Sequence, residues 1–197
     1  MITGRRIFFP LLLLLASLAG CKVDSVNPIS SLDNAQQDAA LYGVWRYRDQ
    51  DELTYVHIGP DYSLDSGTGA AENKRIKIIL IDHSPNGMTE EDHVAHGSRV
   101  GKRRYLNVVQ VEEDRPVGFV FVQYALLDKN TLRFSLMDDE ALKTAIRAGQ
   151  IKGTIHGEGL ASETAITAES DEIENFLKKD GARLFGKPVV LKRVVER

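Results

Sequence analysis

The chain has 197 residues, of which 43% are hydrophobic and 27% charged, with a formal net charge of −3. That length suits one domain with a sizeable core, and a mild acidic excess gives no general electrostatic attraction to nucleic acid or to anionic lipid. Cysteine occurs once, so no intrachain disulfide can form and the fold must be held by its core alone.

The N-terminus carries Arg5 and Arg6, then an apolar run from Ile7 to Leu15, then Leu18-Ala19-Gly20-Cys21. A charged start, an apolar stretch too short to span a bilayer as a mature helix, and a small-residue cleavage site make an export signal. The cysteine is the part that an ordinary secretory signal lacks. Only a thiol takes a diacylglycerol thioether, and small Ala19 and Gly20 admit the extended chain to a peptidase cleft. These residues resemble the lipobox of bacterial lipoproteins. The resemblance implies cleavage between Gly20 and Cys21, a lipid on the Cys21 thiol and an acyl group on its new amino terminus. One acyl chain gives only marginal membrane affinity, at about 0.8 kcal/mol per buried methylene, whereas several chains anchor firmly. Lys22 follows the cysteine where an inner-membrane retention signal has aspartate. The expected address is therefore the bacterial cell envelope, on the outer membrane facing the periplasm. Loss of Arg5 and Arg6 lowers Lys plus Arg from 25 to 23 against 28 acidic residues, giving −5 for the mature chain.

Residues 21–40 read as the acylated cysteine and a flexible tether: the stretch is polar, rich in Asn, Ser, Asp and Gln, contains Pro28 and shows no apolar period. Residues 41–197 then form a single β-rich domain. Tyr42 to Arg48 alternates, with Trp45 and Tyr47 on one side. Leu53 to Ile58 and Arg75 to Asp82 are the next strands, with a Gly-rich loop from Asp65 to Ala71 between them. Ile76, Ile78, Ile79, Leu80 and Ile81 are apolar on both faces and predict a well-covered central strand. Val94 to Val100 and Arg103 to Glu112 form a hairpin turning at Gly101, which can take the positive φ of a tight turn. An acidic turn at Glu113-Asp114-Arg115-Pro116 leads into Val117 to Leu127, and Lys129-Asn130 leads into Thr131 to Met137. A helix follows from a cap at Asp138 or Asp139 to Ala148, with Gly149 as its stop. A second runs from a Ser170 cap to about Lys179. Strands near Ile151 to His156, Thr164 to Thr167 and Pro188 to Val195 complete the pattern. Hairpin-linked strands of similar length predict a mainly β fold, an antiparallel barrel of about eight to ten strands with two short helices.

Gly43-Val44-Trp45 opens the first strand, and Arg193 lies in the last. This pattern resembles lipocalin-like barrels, in which a Gly-x-Trp begins strand one and a basic residue from the chain end packs over the indole. The resemblance implies that Arg193 closes the barrel base on Trp45, a cation–π contact worth about 0.5–2 kcal/mol. Parity agrees, since Arg193 shares a face with Val189 and Leu191. The helix from Asp138 departs from the usual lipocalin order, which has its main helix near the end.

The most enzyme-like stretch is Asp82-His83 with Glu90, Glu91, Asp92, His93 and His96. Imidazoles and carboxylates can hold a divalent ion, but His93 and His96 fall on opposite faces of a strand. Ser66, Ser98 and Ser135 lack a nucleophile-elbow context, and Gly67-Thr68-Gly69 lacks the spacing of a phosphate loop. No catalytic residue, metal site or cofactor is therefore assigned. Lys102, Arg103 and Arg104, with Lys74 and Arg75, make the one basic cluster, which could meet lipid headgroups or an acidic partner. The expected role is a non-enzymatic lipoprotein, tied to the membrane through Cys21, whose barrel binds a small apolar ligand. Two alternatives are an envelope structural or assembly factor with a filled interior, acting by protein–protein contact, and a metal-assisted hydrolase. Large side chains such as Trp45, Phe119, Phe121 and Phe134 could fill a small barrel completely.

Overall fold

A computed structural model describes residues 23–49, 52–62, 74–157, 163–181 and 183–195. The signal, with Gly20 and Cys21, and the Gly-rich stretch 65–71 lie outside the described residues. The chain is mainly β. Its strands are β1 (Val23–Ser25), β2 (Gly43–Asp49), β3 (Glu52–Pro60), β4 (Arg75–Ser84), β5 (Gly87–Val100), β6 (Arg103–Glu112), β7 (Arg115–Asp128) and β8 (Thr131–Leu136). Helix α1 (Asp139–Arg147) follows, then β9 (Gly153–His156), β10 (Glu163–Ile166), α2 (Ser170–Asp180) and β11 (Val189–Arg193).

Strands β2 to β8 pair antiparallel in sequence order, β11 fits between β2 and β8, and the β6–β7 ladder closes an eight-stranded barrel. The β5–β6 ladder runs only from Ala95↔Val108 to Val100↔Arg103, so the segments Gly87–Val94 of β5 and Val109–Val111 of β6 are not paired with each other across that seam. The fourteen-residue β7 outruns β8: the edge that meets β8 from Val122 to Asp128 meets β1 at Phe119. From there β1 pairs parallel with β10, and β10 pairs antiparallel with β9, so a small extension leaves the barrel wall.

Inward side chains form one core around Trp45, Val56, Ile76, Leu80, Leu106, Val122, Leu132 and Leu191. A second core lies outside the wall, where Ile29, Tyr105 and Phe121 pack against Leu142, Ile151, Ile166, Ile173 and Leu177. The helices thus lie on the barrel's flank. Their local signals hold them there. The Asp138 carboxylate accepts from Ala141 N–H at 2.8 Å and caps α1. The Glu172 carboxylate accepts from Glu169 N–H at 3.2 Å at the start of α2. That cap is Glu169, not Ser170, whose hydroxyl instead donates to Pro28 O at 2.6 Å.

Four expectations from sequence need correcting. Residues read as a tether are docked on the barrel: β1 is a strand, Ile29 is buried, and the Ile29 N–H donates to Asn107 Oδ1 at 2.8 Å. Polarity misled here because these Asn and Ser side chains bond the fold rather than water; Asn27 Nδ2 donates to Ala168 O at 3.1 Å. Phe119 and Phe121 point out of the barrel, since Val120 and Val122 take the inward parity of β7. The β4 strand is buried on one face only, with Ile79 and Ile81 half-buried on the other. The strand expected from Val94 begins earlier, at Gly87, and takes in the polar run at 89–93 by register against β4 from Asp82↔Thr89 to Ile78↔His93.

After β1 the chain runs as a strap across the outer face of β6 and β5, rounds the lower edge of β5, and enters the barrel base. Gln36 N–H donates to Gly97 O at 2.9 Å, a carbonyl that lies past the start of β4. The approach requires glycine: a Cβ on Gly97 would sit 2.2 Å from Gln36 O. Asp38 then pairs with Arg104 at 3.0 Å and accepts from Tyr124 Oη at 3.1 Å. Burial, and then the Asp38 charge, hold the Tyr124 phenol well above its ordinary range.

Candidate binding groove on the outer wall

The outward parity of β5, β6 and β7 places Val94, Val109, Val111 and Phe119 side by side, with Pro116 above them. Where the second core and the strap end, this face is no longer covered. The result is a groove of about 760 Å³, with Pro28, Ser31 and Leu32 of the strap as its lower wall and Arg75 of β4 at its side. Register shifts between Gln110 and Val111, opposite Pro116, and Val111 is left 56% exposed at the upper lip.

His96 forms the inner corner of the groove. Its Nε2–H donates to Ser30 O at 2.7 Å, and its ring meets Phe119 edge to face with centroids 5.9 Å apart. Burial pushes the imidazole below its ordinary pKa, the Ser30 bond opposes this, and the Arg75 charge adds to it. On the rim, Asp92 is bonded by Lys77, which holds that carboxyl below the usual range. Floor and walls therefore offer apolar side chains and a cationic flank.

Trp45 and Arg193 lie at the barrel base, apart from this groove. The Arg193 guanidinium carbon stands 4.0 Å from the indole centroid. Its nitrogens donate to Lys129 O at 2.8 Å, Tyr42 O at 2.6 Å and Ala40 O at 2.6 Å, while Trp45 Nε1 donates to Leu41 O at 2.9 Å. These contacts seal the base.

The acidic and histidine-bearing residues are dispersed. Asp82 points inward and accepts from Thr54 Oγ1 at 2.7 Å, whereas His83 points outward against Tyr55. Glu91 and His93 face inward, 3.7 Å apart, and Asp92 and His96 face out. Among the described residues, no group of three or more His, Cys, Asp or Glu converges to hold a metal ion. Ser98 accepts from Asn107 Nδ2 at 2.8 Å beneath the strap. Ser66 and the Gly67-Thr68-Gly69 string lie outside the described residues. The basic run also divides: Lys102 is exposed at the hairpin turn, Arg103 reaches Leu177 O at 3.4 Å, and Arg104 pairs with Asp38. Lys74 donates to Asp33 O, and Arg75 alone of the cluster lines the groove.

Sequence reasoning missed this groove. The signal present was apolar character on both faces of β6, with Leu106 and Val108 inward and Tyr105, Val109 and Val111 outward. Such a strand needs cover on each side, and its last two outward valines are where the cover stops. No family model, curated protein or solved structure matches this chain.

Proposed function

We propose that the chain is a lipid-anchored, non-catalytic binding protein of the bacterial envelope that carries a small apolar molecule in the groove across β5–β7. The anchor rests on the signal residues ending at Cys21; the binding role rests on one observation, an apolar hollow of about 760 Å³ in the outer wall. That volume falls in the ~300–1,000 Å³ range of small-molecule sites. A site inside the barrel is not favoured, because Trp45, Leu106, Leu132 and Leu191 meet there at or below 1% exposure. The same packed interior favours a second reading, an envelope assembly factor that uses the groove to hold a protein.

Intact mass spectrometry of the full-length protein from membranes, under native and denaturing conditions, separates these readings. The carrier reading expects an acylated mass starting at Cys21 and a small-molecule mass that disappears on denaturation and in Val109→Asp. An acylated protein with no bound mass, crosslinked to a protein through β6–β7, supports the assembly reading. An unmodified Cys21, or a Cys21→Ser variant that stays on the membrane, removes the anchor.

A further inference from the structure

The floor of the groove is a seam between two strands. β5 and β6 pair from Val100↔Arg103 to Ala95↔Val108 and then part, although β5 extends back to Gly87 and β6 on to Glu112. Each parted segment is paired along its other side, Gly87–Val94 with β4 and Val109–Glu112 with β7. Alternate residues of both strands therefore turn N–H and C=O groups into the seam, where the described residues supply no backbone partner. Such groups call for hydrogen bonds, and an extended chain supplies them in register.

Charge tells what that chain carries. Continued past Ala95, the same register would set Glu91 opposite Glu112, and like charges directly opposite disfavour pairing. On the inner face Glu91 neighbours Asp82, which stands opposite Thr89. Asp82 is bonded by the neutral Thr54 hydroxyl, and Glu91 lies 3.7 Å from His93. Among the described residues neither acid is paired with a lysine or arginine. The outer face of the seam is apolar, with Val94 and Val109 on either side and Phe119 beside them. A strand laid in the seam meets acid on one face and hydrocarbon on the other, and its period of two sorts its side chains between them.

We infer that the seam binds an extended protein segment as an added strand, its apolar residues alternating with basic ones. The main chain pairs with the open edge of β5, the apolar side chains lie over Val94 and Val109, and the basic ones face Glu91 and Asp82. This rests on the second reading above, in which the groove holds a protein. Strand addition draws affinity from main-chain bonds and specificity from pockets for alternate side chains.

The test uses the full-length protein in detergent and three capped eight-residue peptides. One has four Val-Lys repeats, one has four Val-Glu repeats, and the third is the Val-Lys peptide with every amide N-methylated, which keeps its charge and removes its donors. Binding is read by fluorescence anisotropy and located by amide hydrogen exchange. The expected result is that the Val-Lys peptide binds and slows exchange over residues 87–94 and 109–112, and that N-methylation abolishes both effects. The Val-Glu peptide binds at least roughly tenfold more weakly, and Glu91→Gln weakens Val-Lys binding roughly fivefold, as for one half-exposed ion pair. Undiminished binding of the methylated peptide overturns strand addition. Equal binding of the Val-Lys and Val-Glu peptides overturns the basic alternation, and should Glu91→Gln fail to fold, that comparison on the native protein decides the point. If no peptide slows exchange in these segments while a small molecule is found in native mass spectra, the added strand is overturned and the carrier reading stands. If neither is found, the groove reading itself is overturned.

Discussion

Truncation of Arg193 tests whether the barrel base is held by the arginine or only decorated with it. Arg193→Ala removes a cation 4.0 Å from the Trp45 ring centroid and three donors to main-chain carbonyls. The cation–π contact is worth about 0.5–2 kcal/mol. A hydrogen bond from a charged donor contributes about 1.5–3 kcal/mol when its loss leaves a buried partner unpaired. Arg193 is only half-buried, so water replaces part of what is lost at Ala40, Tyr42 and Lys129. We expect a net loss of about 3–4 kcal/mol, out of the ~5–15 kcal/mol typical of a folded domain. At about 2–4 °C per kcal/mol, Tm falls by roughly 6–16 °C. Arg193→Lys keeps the charge over the ring but not the fork, and loses about 1–2 kcal/mol. Urea unfolding of the detergent-solubilised protein reports directly on the contact, because Trp45 is the single tryptophan. A double-mutant cycle with Trp45→Leu, followed by far-UV circular dichroism because that variant has no tryptophan, isolates the ring term, expected at about 0.5–2 kcal/mol. An Arg193→Ala loss below about 1 kcal/mol at unchanged m would refute the reasoning.

Three further outcomes follow from single contacts. Gly97→Ala drives a methyl group into Gln36 O at 2.2 Å, so the strap should lift and limited proteolysis should cut between residues 30 and 38 faster than in the native protein; an unchanged digest contradicts a docked strap. His96 has a lowered native pKa, from burial first, so the unfolded chain binds its proton more readily. Its contribution is complete above the ordinary value of 6.5 and is lost as pH falls through the lower native pKa. Urea midpoints at pH 7.5 and 5.5 should differ more for the native protein than for His96→Gln, which keeps a donor toward Ser30 O. Asp138→Ala deletes the α1 cap and should cost about 0.5–2 kcal/mol in the same assay, with Asp138→Asn losing much less.

The alternation from Tyr42 to Arg48, the turn at Gly101 and the succession of hairpin-linked strands of similar length were enough to read an antiparallel barrel from sequence. Each is a local property: side chains alternate with period two, and a tight turn demands particular residues. The Trp45 and Arg193 pairing was expected from the resemblance carried by Gly43-Val44-Trp45 and Arg193, and parity agreed with it, since Arg193 shares a face with Val189 and Leu191. The strap was not legible. Its Asn27 and Ser30 side chains bond Ala168 O and the Ser98 hydroxyl, and its Ile29 and Gln36 N–H groups bond Asn107 and Gly97; composition cannot distinguish a polar side chain satisfied by protein from one satisfied by water. Nor could sequence alone assign Phe119 and Phe121 to the outer wall, because β7 is apolar on both faces and a one-residue change of register exchanges them. The groove depends on where three separated segments stop: the strap at Leu32, the second core at Phe121, and the ladder shift at Gln110 and Val111. Local sequence determined which elements form and which way most of them face; the cover over the outer wall, and the gap left in it, arose only when distant segments met.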